Sequence, residues 1–335
     1  MSYELLIGDC RQRLADLPTG SVQTCITSPP YFGLRDYGHD AQIGSETTPD
    51  EFISELVKVF REVRRVLADD GTLWVNIGDS YANDTKWGGQ TTGKHAKGLL
   101  GSTGIGRGRT STGLASKNLI GVPWKLAFAL QADGWVLRQD IIWHKPNPMP
   151  ESVLDRCTKA HEYIFLLSKG PRYYFDHEAI KEAAVSSAPG NQGTLAEAAD
   201  RWRSKADSFK RENSKRAEVI PGQTVGTHRP DRKESTYDVD TRNKRSVWTV
   251  ATKPFAAAHF ATYPPELILP CVLAGSRPGD TVLDPFAGSG TSGLVALENG
   301  RRFVGIELNP DYAALTRKRL ARVQIDMFRS QPVPA

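Results

Sequence analysis

The sequence predicts an α/β fold: a doubly wound, mostly parallel sheet carrying an inserted, partly irregular region. Three observations carry this. Strand and helix signals alternate over the first 80 residues and again after Ser246, a polar stretch lacking periodicity separates the two runs, and a late glycine-rich turn joins a strand to a helix. Such alternation implies parallel strands linked by helical crossovers.

Tyr3–Ile7 reads as a strand ending at Gly8-Asp9, and Val22–Thr27 as a second strand stopped by Pro29-Pro30. From Asp50 to Leu67 the apolar residues Phe52, Leu56, Val59, Phe60, Val63 and Leu67 fall on one helical face. Asp70-Gly71 ends that helix, and Thr72–Ile77 reads as a strand. Residues 86–117 hold nine glycines and no periodicity, the pattern of a long mobile loop. A helix over 118–132 and strands over 135–143 and 162–167 follow, with a short edge strand expected at Arg172–Phe175. The stretch 183–244 is polar and aperiodic. Then come a helix over 264–274, a strand at Thr281–Asp284, a helix from Ser292 to Glu298, a strand at Arg302–Glu307 and a terminal helix over 311–323.

The net charge of +5 is modest, but it is unevenly placed. Residues 200–245 hold 13 Lys/Arg against 8 Asp/Glu, and residues 86–117 hold 6 Lys/Arg and no acid, leaving a mildly acidic remainder. Local positive surface suits a phosphate backbone, as it also suits ordinary solvated loops. No apolar run reaches the roughly 18 residues of a membrane span, and the N-terminal residues lack the basic start of a signal peptide. The four cysteines are widely spaced, which argues against a zinc ribbon or a disulfide framework and suits a reducing cytoplasm. No metal-ligand spacing is present, so no metal is expected.

Two turns carry the chemistry. Asp284-Pro285-Phe286-Ala287-Gly288-Ser289-Gly290-Thr291-Ser292-Gly293 matches G-x-G-x-x-G between a strand and a helix, with Glu307 about 20 residues after the turn at the end of the next strand. Glycines there admit a tight turn and a close ligand, and the carboxylate suits ribose hydroxyls. The glycines do not choose between a dinucleotide and S-adenosylmethionine. Asp284 does lean: a carboxylate at the strand end repels a pyrophosphate but can accept from an ammonium. The other turn is Ser28-Pro29-Pro30-Tyr31. Its prolines stiffen the backbone and remove donors, so the Ser28 hydroxyl and the Pro29 carbonyl form an acceptor pair suited to a substrate –NH₂. Tyr31 offers a ring for stacking on a base extruded from a duplex.

With both turns in place, the chain resembles the amino-group DNA methyltransferases, those that modify adenine N6 or cytosine N4. Residues 284–291 look like that family's cofactor loop and Ser28–Tyr31 like its catalytic loop, in the order of the beta arrangement. The resemblance covers roughly residues 1–80, 118–170 and 246–325. It implies the Rossmann-like fold of S-adenosylmethionine-dependent methyltransferases, S-adenosylmethionine as cofactor, double-stranded DNA as substrate, a homodimer, and a cytoplasmic, nucleoid-associated enzyme of a restriction-modification type. Ser28, Pro29, Pro30 and Tyr31 would carry catalysis. Asp9, Thr262, Asp284, Phe286, Gly288, Gly290, Thr291 and Glu307 would line the cofactor site. Residues 1–170 and 246–335 would form the catalytic domain, with 86–117 contacting DNA and 171–245 recognising the target. Serine at the first catalytic position points within the family to cytosine N4. The greater frequency of adenine methylation among bacterial enzymes points to adenine N6, which is the expectation adopted here, with cytosine N4 as the alternative.

Other readings account for less. A nicotinamide-dependent oxidoreductase would explain the glycines but neither the Ser-Pro-Pro-Tyr turn nor the basic stretches. A cytosine-C5 methyltransferase would need Cys271 as its nucleophile, yet Cys271 precedes the cofactor loop in the apolar run Leu267–Leu273 and reads as a core residue. A non-catalytic nucleic-acid-binding protein would leave the cofactor turn without a role.

Overall fold

The computed structural model describes residues 2–33, 42–82, 112–184, 241–253 and 263–329, with side chains to Val323. The chain divides into a unit of residues 1–180 and 245–335 and a second unit of residues 181–244. In the second unit the described residues form a short antiparallel ladder, β6 (Glu182–Ala183) against β7 (Thr241–Arg242), with Arg242 paired to Glu182 at 3.0 Å.

The first unit is built on β1 (Tyr3–Ile7), β2 (Val22–Thr27), β3 (Leu67–Ile77), β4 (Val136–His144), β5 (His161–Ser168), β8 (Val247–Thr249), β9 (Thr281–Asp284) and β10 (Arg302–Glu307). These eight strands form one sheet in the order β1-β10-β9-β2-β3-β5-β4-β8. All pairings are parallel except β3–β5 and β4–β5. The α-helices are α1 (Cys10–Arg13), α2 (Pro49–Val66), α3 (Val122–Ala132), α4 (Pro265–Gly275), α5 (Thr291–Glu298) and, after the last strand, α6 (Pro310–Arg329).

Alternating residues of the central strands feed two cores, as a sheet covered on both faces requires. Cys25, Val75, Phe165 and Leu283 pack with α2 and α3, while their neighbours Ile26, Trp74, Ile164 and Val282 pack with α4 and α5. The stripe read on α2 is the buried one: Phe52, Leu56, Val59, Phe60 and Val63 are all 0 % exposed. Each contributes roughly 1.5–3 kcal/mol of burial. Thr48 and Glu51 close a reciprocal capping box at its start.

Four sequence expectations shift. Strand β3 begins at Leu67 rather than Thr72, so Asp70-Gly71 lies within it, opposite a register shift between Val22 and Thr24. Helix α3 begins at Val122 rather than Asn118, because Asp79 Oδ1 accepts from the N–H groups of Gly121 and Val122 at 3.0 Å. No strand forms at Arg172–Phe175; its rings pack instead, Phe175 stacked on Trp74 at 6.2 Å and Tyr174 under Arg277. The terminal helix α6 extends to Arg329, beyond the expected 323.

Candidate active site

Parallel strands bring their carboxyl ends to one sheet edge, where open α/β folds bind ligands. Register sets Ile7 opposite Glu307, Gly305 opposite Asp284, Cys25 opposite Leu283 and Thr27 opposite Val75. The segments leaving these strands are Gly8-Asp9, Leu308-Asn309, the 285–290 turn, Ser28–Tyr31 and Gly78-Asp79. Both turns singled out in the sequence therefore share an edge.

They are also tied together. The Thr27 hydroxyl donates to Asp284 Oδ1 at 2.6 Å, across 257 positions of sequence. Phe286 N donates to the same oxygen at 3.0 Å, and the Tyr263 and Ser292 hydroxyls reach Oδ2. Asp284 is 1 % exposed, and burial pushes its carboxyl up against these four hydrogen bonds. In place of a ligand's ammonium, the carboxylate takes four protein donors, and it fastens the cofactor turn to β2, the strand that ends at Thr27 just before Ser28.

The glycines divide their work. Among the described residues, Gly288 (φ +53°) has only the Phe286 carbonyl within 4 Å of where a Cβ would sit, which leaves room beside the turn's backbone. Gly290 (φ +75°) lies against α6, where a Cβ would fall 2.6 Å from Thr316. Thr291 is 4 % exposed and accepts from Arg319 Nη1 at 2.9 Å, which also donates to the Ser289 carbonyl. Thr291 thus faces α6 behind the turn. Phe286 and Gly288 remain half-buried.

Glu307 closes the turn from β10. One oxygen accepts from Gly288 N at 2.8 Å and the other from Asn309 N at 2.9 Å. It is 9 % exposed, and burial pushes its pKa up to about 7. Each oxygen keeps lone-pair capacity beyond its backbone bond. Asp9 sits one residue past Gly8, whose N–H donates to the Glu307 carbonyl at 2.9 Å. Its side chain caps α1 and pairs with Arg11 at 2.6 Å. Burial alone would raise the Asp9 carboxyl, but the Arg11 hydrogen bonds and charge hold it below its ordinary value.

On the catalytic side Ser28 and Tyr31 are half-buried and Pro29 is buried. The Tyr31 hydroxyl donates to Glu162 Oε2 at 2.7 Å. Thr262, residues 185–240 of the expected recognition region 171–245 and residues 86–111 of the expected DNA-contacting loop 86–117 lie outside the described residues. Cys271 is 1 % exposed in the core with α4 and α5. Among the described residues no group of acids, histidines and cysteines is placed to hold a metal ion, and no helix is long and apolar enough to cross a membrane. Sequence reasoning missed Thr27, Tyr263, Ser292, Arg319, Asn76, Lys145 and Glu162. Of these, Ser292 sits inside the quoted 284–293 motif, Tyr263 directly follows Thr262, and Thr27 is the residue just before the catalytic turn.

A doubly wound sheet with a glycine turn and a buried acid on the next strand defines the class of Rossmann-like folds that bind a nucleotide or S-adenosylmethionine at that turn. The DNA methylase family model for N6 and N4 methyltransferases matches residues 22–318, and the chain belongs to that family. It is similar to the Type II methyltransferase M.Cfr9I of Citrobacter freundii, 44 % identical over 97 % of this chain and 90 % of that one. It is similar also to the Type II methyltransferase M.SmaI of Serratia marcescens, 45 % identical over 96 % and 91 %. The fold matches TTHA0409 of Thermus thermophilus complexed with S-adenosyl-L-methionine (TM-score 0.53, 24 % identity, 96 % of each chain). It also matches the PvuII DNA methyltransferase, cytosine-N4-specific (TM-score 0.59, 16 % identity, 99 % of this chain and 94 % of that one). The protein is an S-adenosylmethionine-dependent DNA methyltransferase. The turn fits that cofactor: Gly288 leaves room beside the backbone, and Glu307 is a buried carboxylate with acceptor capacity to spare.

Proposed function

We propose that the protein methylates the exocyclic amino group of a base flipped out of double-stranded DNA, with Ser28, Pro29, Pro30 and Tyr31 holding the base. The contact between Thr27 and Asp284 carries this reading, because it joins the acceptor turn to the cofactor turn. S-adenosylmethionine supplies an electrophilic methyl group when bound. An exocyclic amino nitrogen is a weak nucleophile because its lone pair is delocalised into the ring. The Ser28 hydroxyl and Pro29 carbonyl accept its two hydrogens, which favours a tetrahedral nitrogen with its lone pair free, and Tyr31 stacks on the base. Phe286, Gly288 and Glu307 face the cofactor, with Asp9 beside them; Asp284, Gly290 and Thr291 shape the turn from behind. The basic stretches within 86–117 and 171–245 supply phosphate contacts, and the latter reads the target.

We take cytosine N4 ahead of adenine N6 as the target. The frequency of adenine methylation says nothing of this chain, whereas Ser28 is a property of it. Incubation with labelled S-adenosylmethionine and unmethylated genomic DNA, followed by nucleoside mass spectrometry, tests both levels. N4-methylcytosine is expected; N6-methyladenine would reverse the base, and no label on any DNA would remove the activity. Ser28→Ala and Tyr31→Ala should each cut turnover while S-adenosylmethionine affinity holds. Unchanged turnover would strip the turn of its role.

A further inference from the structure

Tyr31 is fixed at both its ring and its hydroxyl by residues outside the catalytic turn. Gly78, just past β3, lets the ring in: a Cβ there would fall 2.8 Å from Tyr31 Cε2 and 3.4 Å from Glu162 Cδ. The hydroxyl donates to Glu162 Oε2 at 2.7 Å, and Asn76 Nδ2 donates to the same oxygen at 3.3 Å and to the Tyr163 carbonyl at 3.1 Å. Glu162 Oε1 is ion-paired with Lys145, whose ammonium also lies 4.3 Å above the Trp143 ring. The Lys145 and Glu162 side chains are only 18 % and 14 % exposed. A pair so withdrawn from water loses much of its attraction to desolvation and is poor evidence for stabilisation. Its placement is informative instead. Glu162 is the second residue of β5, opposite Trp143 near the end of β4, at the same sheet edge as Ser28, with its carboxylate aimed at the one aromatic ring of the catalytic turn's four residues.

We propose that Glu162 is a positioning residue for methyl transfer. It holds the Tyr31 ring in one orientation for the extruded base, and Lys145 and Asn76 hold Glu162 in turn. The proposal rests on the stacking role given to Tyr31 above. It predicts that Tyr31 and Glu162 act as a unit, so that losing either end of the hydrogen bond removes the same contribution. A merely structural acid would show no such coupling.

The test compares wild type, Tyr31→Phe, Glu162→Ala, the double variant and Glu162→Gln. Single-turnover transfer from labelled S-adenosylmethionine to unmethylated genomic DNA is measured beside S-adenosylmethionine affinity and thermal melting. A hydrogen bond to a charged acceptor corresponds to a loss of about ten- to a hundredfold. Each single variant should slow by that factor, the double variant should be no slower than the slower single, and cofactor affinity should hold. Glu162→Gln should keep most of the rate, since its amide oxygen accepts from the same hydroxyl. Multiplying losses in the double variant, or a slow Glu162→Ala beside a Tyr31→Phe at wild-type rate, would overturn the proposal. So would a loss that follows the melting temperature and is not rescued by glutamine. Tyr31→Ala at wild-type rate would instead remove Tyr31 from the reaction, and both readings with it.

Discussion

Replacing Glu307 with glutamine exchanges one buried carboxylate for a group that is neutral at every pH, and so isolates what that carboxylate does to stability. In the unliganded protein burial raises its pKa from an ordinary 4.5 to about 7, and the backbone bonds from Asn309 and Gly288 only partly oppose the rise. The folded chain then holds this proton to higher pH than the unfolded chain does. The associated stability is complete below about pH 4.5 and is lost as the pH rises through about 7. The gap between 4.5 and 7 converts to about 3 kcal/mol. Urea unfolding of wild type and Glu307→Gln across a pH series should show the difference moving by about that amount in the variant's favour from low to high pH. A cofactor hydroxyl donating to the carboxylate favours its ionised form. Saturating S-adenosylmethionine should therefore flatten the wild-type curve, and its affinity should fall as the pH drops below about 7. Parallel curves for the two proteins, or a wild type that gains on the variant with rising pH, would refute the reasoning.

Thr27→Val removes the donor 2.6 Å from Asp284 Oδ1 at nearly constant shape. It should cost about 1–3 kcal/mol in urea unfolding and slow methyl transfer; a stable, fast variant would mean the two turns need no such tie. Gly293→Ala places a Cβ 2.6 Å from the buried Phe303 ring, for an expected loss of about 1–3 kcal/mol read by the same assay. Thr48→Ala breaks the capping box of α2 and should cost about 1 kcal/mol with turnover unchanged, which makes it a control for effects of stability alone.

Much of this architecture is legible in the sequence because strong patterns and local punctuation carry it. The α2 stripe, the short apolar strands and the glycine turn each announce themselves within about 20 residues. The antiparallel placement of β5 is not announced, because β4 and β5 are joined by a segment without a crossover helix and nothing local fixes strand direction. The start of α3 depends on Asp79, a residue more than 40 positions away that supplies its cap. The aromatic run Tyr173-Tyr174-Phe175 mimics a strand, but tertiary packing claims its rings. At the site, residue types were readable where they form a motif. Their partners were not: Glu162 meets Tyr31 across 131 positions, and it lies in a strand whose pattern gives it no distinction. Asp284 shows the converse. Its motif was plain, while the direction of its carboxylate depended on three hydroxyls, two of them outside the turn.

Side-by-side placement of β2 and β9 also fixes when activity can arise during synthesis. Thr27 leaves the ribosome 257 residues ahead of Asp284. At about 5–20 residues per second the interval is roughly ten to fifty seconds. Throughout it the nascent chain carries the Ser28–Tyr31 turn without the glycine turn that the fold sets beside it. Translation cut short before β9 therefore yields a chain that cannot mark DNA.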